Sequence, residues 1–153
     1  MYLKFCRIHE DLNNTARSVN MRAQDRKPFV HVGIHLFTNE HEIVEWNPPL
    51  PDERLYMPAQ VQIELRTVTQ CDEVLRGIER VEQGDVPNFS YDGTAWDVFI
   101  SPNSVEFVYS IMDGVPGGRI DLKFYREVLK AWRKFLLDEN CEQEIFYFPD
   151  SEN

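Results

Sequence analysis

The sequence predicts an α+β domain: a mainly antiparallel sheet with two main helices packed on it. Three observations carry that prediction. Short runs at 29–37, 96–100 and 105–109 alternate apolar and polar residues, the period of a half-buried strand. Two longer runs, 69–83 and 121–136, place their apolar residues on one helical stripe. Strands also follow one another directly, as antiparallel pairs allow and parallel crossovers do not. At 153 residues the chain has the length of one ordinary domain, 1–153, and no internal repeat divides it.

From the N-terminus, residues 2–8 read as a short strand, and 9–27 are polar and weakly periodic, a loop with a helical turn. In the strand 29–37, Val30, Val32, Ile34 and Leu36 share one face and His31, Gly33 and His35 the other. Thr38-Asn39-Glu40 is a turn, and 42–46 returns antiparallel. Three prolines in 47–52 exclude regular structure, so 47–58 reads as a long ordered loop. Val61, Ile63 and Leu65 alternate with Gln62, Glu64 and Arg66, which predicts another half-buried strand.

Thr69 is the expected N-cap of the first helix, with Asp72 and Glu73 in its first turn. Val74, Leu75, Ile78 and Val81 form its buried stripe and Gly84 stops it. Gly77 inside that helix marks a close approach by another element. Residues 89–112 predict a meander, with Asp92-Gly93 and Pro102-Asn103 as its turns. Trp96, Val98 and Ile100 then share a face with Val105, Phe107 and Tyr109, and Asp97, Phe99, Ser101, Glu106 and Val108 take the opposite face. A Gly-rich loop at 113–118 leads to a second helix capped by Asp121, its stripe being Phe124, Val128, Leu129, Trp132, Phe135 and Leu136. Residues 144–148 make a last edge strand.

Charge bounds the partners. The chain carries −10 overall, yet 1–27 is +3 and 28–153 is −13. A polyanionic surface repels nucleic acid and anionic membranes and draws in cationic proteins. Three widely spaced cysteines make no disulfide framework, and no apolar leader or membrane-length run is present, so the expected compartment is the cytoplasm.

The residues for chemistry are present without the spacing it needs. His31 and His35 lie four apart on a strand, about 13 Å, too far to share one metal ion. Cys6, Cys71 and Cys141 have no ligand-spaced neighbours, and no serine sits in a nucleophile motif. The Gly-rich loop 113–118 lacks the Lys-Ser/Thr of a phosphate cradle. Asp97 and Glu106 share an outward sheet face, as abundant acids do by chance. The expectation is therefore no catalytic residue, no metal and no cofactor.

The run Trp96-Asp97-Val98-Phe99-Ile100-Ser101-Pro102 followed by Val105-Glu106-Phe107, and Gly118-Arg119-Ile120-Asp121-Leu122 leading into Phe124, Val128, Leu129, Trp132 and Phe135, resemble a known group. They are similar to the C-terminal half of small cytosolic immunity proteins that accompany bacterial polymorphic and contact-dependent growth-inhibition toxins. The resemblance covers 89–137 and rests on core positions. It implies an inhibitor that binds a cognate toxin domain, a basic protein and often a nuclease. The alternatives are an acidic structural or regulatory interaction domain, and an enzyme with an unrecognised site. For an inhibitor, the densest uncompensated acid lies in 40–56, where no Lys or Arg falls between Pro28 and Arg54. Glu40, Glu42, Glu45, Asp52 and Glu53 are the expected contacts, with Trp46 and Tyr56 as aromatic anchors.

Overall fold

The computed structural model describes residues 2–9, 30–38, 41–43, 56–111 and 117–148. In chain order they form β1 (Tyr2–His9), β2 (Val30–Thr38), β3 (His41–Ile43), α1 (Tyr56–Glu64), α2 (Val68–Glu82), β4 (Phe89–Asp92), β5 (Trp96–Ile100), β6 (Ser104–Tyr109), β7 (Gly118–Asp121), α3 (Leu122–Leu137) and β8 (Gln143–Tyr147). The class is α+β and every strand pairing is antiparallel. The single expected sheet is two, of order β3-β2-β1-β8 and β4-β5-β6-β7. Helices α1 and α3 each touch both sheets and join them around one core. Among the described residues no helix is long and apolar enough to cross a membrane.

The second sheet follows the sequence pattern closely. Trp96 pairs with Tyr109, Val98 with Phe107 and Ile100 with Val105, the expected register. Every residue of the inward set on β5 is buried, and Phe107 meets Tyr125 of α3 edge-on at 5.5 Å. Gly77 is forced by packing: a Cβ there would overlap the ring of Phe89, which crosses α2 at that point.

In the first sheet the residues of β1 alternate, with Leu3 and Phe5 fully buried. Phe5 meets Trp132 of α3 at 5.1 Å in an edge contact. Arg7 reaches the C-terminal end of α3. Its guanidinium donates to the carbonyls of Phe135, Leu136 and Asp138 and lies 4.6 Å over the Phe135 ring. β8 is an edge strand beside β1, shifted one residue from its expected start.

The largest departure is α1. The expected strand 61–66 is helical as far as Glu64, and Tyr56, Met57 and Pro58, expected in the loop 47–58, open the same helix. Val61 and Leu65 are four apart, a spacing that a strand face and a helix stripe both satisfy. Met57 extends the stripe by another four, and Tyr56, Gln60 and Glu64 form a second buried stripe beside it. Pro58 sits in the first turn, where its missing N–H has no helical partner to lose. Two faces of α1 are buried, so polarity along it does not mark exposure. Ile63 is exposed while Glu64 is buried, the reverse of a strand reading.

The start of α2 also moves. Thr67 is the N-cap, and its side chain and Gln70 form a reciprocal capping box. Asp72 and Glu73 therefore lie beyond the first turn. Gly84 ends the helix at φ 81°, a conformation glycine adopts without strain. Asp121 caps α3 by accepting from the N–H of Phe124 at 3.1 Å. The stripe of α3 is rotated by about one residue from expectation: Tyr125 is fully buried, and Phe124 and Leu136 are partly so.

Candidate protein-binding face

The inward residues of the second sheet serve the core, so its outward residues are free for other work. Strand register orders them into rows. Asp92 stands opposite Asp97, which stands opposite Val108. The next row runs Ser90, Phe99, Glu106, Arg119, and the last places Ser104 beside Asp121. Four carboxylates thus share a face with one described cation, Arg119.

That cation is already engaged. Arg119 lies 3.6 Å from Glu106, an exposed pair of small energetic weight that nonetheless compensates the charge locally. Asp121 is occupied as the cap of α3. The uncompensated negative charge is therefore concentrated on Asp92 and Asp97. Like charges directly opposite one another destabilise a sheet. Asp97 is partly satisfied, since it accepts from the N–H of Gly93 at 3.2 Å. Next to this pair Phe99 remains 43% exposed in the middle of the face, a large apolar side chain with no inward role.

The turn beneath Asp92 and Asp97 is held from inside the protein. Glu64, 5% exposed at the end of α1, accepts from the N–H groups of Thr94 (2.8 Å), Ala95 (2.7 Å) and Trp96 (2.7 Å). Three amides directed at one carboxylate balance its desolvation. Gly93 is required for this approach, because a Cβ there would overlap the Glu64 carboxylate and the Trp96 carbonyl. The same helix fastens the first sheet, where Gln62 accepts from the N–H of Ile34 at 2.7 Å. Gln60 accepts from the buried hydroxyl of Tyr125 at 2.7 Å.

The acidic stripe of α2 is different in kind. Between α2 and α3 lies an open groove of about 610 Å³ lined by Asp72, Arg76, Glu79, Glu82, Arg126 and Lys130 among others. Ion pairs cross it at both ends, Arg133 with Asp72 and Arg126 with Glu82. The hydrogen bond from Arg133 holds Asp72 below the usual carboxylate range, and Glu82 in the same way raises Arg126. Cations and anions alternate there, so the groove presents no single sign of charge.

Of the residues expected in the interface, Glu40, Glu45, Trp46, Asp52 and Glu53 lie outside the described residues. Glu42 is in β3 as the register partner of Phe37, and its side chain also falls outside. Tyr56, expected as a surface anchor, is 2% exposed and meets Trp96 edge-on at 5.2 Å. It is a core residue, because it opens a helix rather than ending a loop. His31 and His35 both lie on β2, and among the described residues no three of His, Cys, Asp or Glu gather as a metal site. Asp97 and Glu106 share a face but are not opposite one another. Burial pushes the Cys71 thiol up to about 12, which suppresses the thiolate a nucleophile needs.

Comparison with protein-family models, curated proteins and solved structures finds no match. The outward position of Phe99 was readable from strand alternation. Asp92 as its charged neighbour was not singled out, although the Asp92-Gly93 turn places it there.

Proposed function

We propose that this chain is a non-catalytic binding protein that neutralises a basic protein, the cognate toxin domain of an immunity-type pair. The observation that carries the reading is Phe99, exposed at the centre of a four-stranded face whose unpaired charges are Asp92 and Asp97. A solvated aromatic ringed by carboxylates is the pattern of an interface anchor: the ring supplies buried area and the acids select a cationic partner. The face sits on paired strands and on a turn clamped by Glu64, so little ordering entropy is lost on binding. Its charge steers encounter with a positively charged surface, and the one described cation it could offer phosphate, Arg119, is paired with Glu106.

Gene order and affinity test this together. The gene for this chain should follow directly on that of a large toxin, and the toxin's C-terminal domain should be basic and bind this chain. Phe99→Ala should weaken that complex by about 30-fold, the size of a hot-spot loss. Unchanged affinity in the variant would remove the face from the interface. A domain from that toxin with no affinity for the wild-type chain would remove the immunity reading.

A further inference from the structure

We propose that two copies of this chain pair through the outer edge of β8, joining their first sheets into one of eight strands. The argument begins with hydrogen-bond parity. The N–H of Arg7 donates to the carbonyl of Glu142 at 2.9 Å, and the register places Phe5 opposite Glu144 and Leu3 opposite Phe146. Narrow and wide pairs alternate in an antiparallel ladder. The backbone groups of Gln143, Ile145 and Tyr147 therefore point away from β1, toward the free edge. Among the described residues no strand meets them there.

Two of the three exposed side chains on that edge are apolar. Ile145 is 42% and Tyr147 69% exposed, and Tyr147 ends a row of rings across the sheet. Tyr2 stacks on Phe37 at 5.0 Å and lies 5.7 Å from Tyr147. An edge of this kind is a template for another strand. Rings stacked on one another have used their faces, which disfavours base stacking as the purpose of the row.

Charge selects the occupant. Each chain carries −10, so two copies repel wherever acids meet. The outer face of the first sheet carries Lys4 and His35 and, among the described side chains of its strands, no acid. It is the described sheet surface on which like chains repel least. β8 also fits itself. Antiparallel pairing about Ile145 sets Ile145 against Ile145 of the second copy, Gln143 against Tyr147, and Glu144 against Phe146, with no acid opposite an acid. Pairing about Glu144 would oppose two glutamates. The interface is isologous and closes at two copies.

Sedimentation equilibrium of the wild-type chain, of Ile145→Glu, of Ile145→Lys and of their equal mixture reads the register directly. The wild-type mass should double between low micromolar and near-millimolar concentration. Each variant should stay at the mass of one chain, and the mixture should regain the doubled mass because position 145 faces itself. A wild-type chain that stays single, variants that stay doubled, or a mixture that stays single would each overturn the proposal. Circular dichroism checks the fold. Should the charged variants lose it, Gln143→Pro, which removes an outward N–H and no bond to β1, must itself give the mass of one chain.

Discussion

The two sheets solve the same packing problem and then differ on the side away from the core. Inward, both feed apolar residues to α1 and α3: Leu3, Phe5 and Ile34 from one, Trp96, Val98, Ile100, Val105 and Phe107 from the other. Outward, the first presents a row of rings with Lys4 and His35, and the second presents Asp92, Asp97, Glu106 and Asp121 around Phe99. Alternation lets one strand carry both messages, because neighbouring side chains answer to different solvents. Inward positions are constrained by shape. Outward positions are constrained only by charge, exposure and partner, so that is where two similar sheets diverge.

The largest effect expected is on what the sheets share. Trp132 packs on Phe5 and donates its indole N–H to the carbonyl of Leu65 at 2.7 Å, so Trp132→Ala loses packing and leaves that carbonyl only the weak Cys71 thiol as a side-chain donor. It should cost about 3–5 kcal/mol, read as a lower urea midpoint with both sheets melting together. Sheets that melt separately would show that the common core is not common.

The clamps on α1 should separate the sheets. Glu64→Ala leaves three amides of the second sheet without an acceptor and should cost about 3 kcal/mol. Gln62→Ala frees one amide of the first sheet and should cost about 1 kcal/mol. Hydrogen exchange should quicken at Ala95 and Trp96 in the first variant and at Ile34 in the second. Equal costs would mean that the carboxylate adds nothing over a neutral acceptor.

Smaller effects come from titration. Cys71 has a folded pKa of about 12 against 9.0 for a free thiol, so the folded state disfavours its ionisation. Its contribution to stability is full below 9.0 and is lost as pH rises toward the folded value. Cys71→Ala should flatten that alkaline decline, and native Cys71 should be alkylated after the half-buried Cys6 and Cys141. Asp72 is the smallest case. Its pKa is lowered by Arg133, so what it adds is present above the ordinary carboxylate range and disappears on acidification through the lowered value. Asp72→Asn should lower Tm at neutral pH and not in strong acid.

Much of this was legible in the sequence where the determinant is local. The register of β5 on β6 followed from two matching alternations and a turn at Pro102-Asn103. Asp121 and Gly84 mark helix ends by their own chemistry. Helix α1 was not legible because Val61 and Leu65 satisfy two periods, and what chooses between them is burial on two sides by both sheets. Glu64 reads as a surface acid because its partners lie some 30 residues away at 94–96. Division into two sheets depends on which strand pairs β1, and no local pattern states that β8 returns to it. For the site, alternation puts Phe99 outward, whereas the acid-dense segment 40–56 lies largely outside the described residues.

The central claim is that the acidic outer face of the second sheet is where a basic partner binds. Amide chemical shifts of the labelled chain, followed as the C-terminal domain of the toxin proposed to be encoded upstream is added, test it most directly. The account predicts that perturbations centre on Asp92, Asp97, Phe99 and Glu106, leave Lys4 and His35 unmoved, and are lost with Phe99→Ala at the same domain concentration. Perturbations centred on 40–56 or on the first sheet, with 92–106 silent, would contradict it.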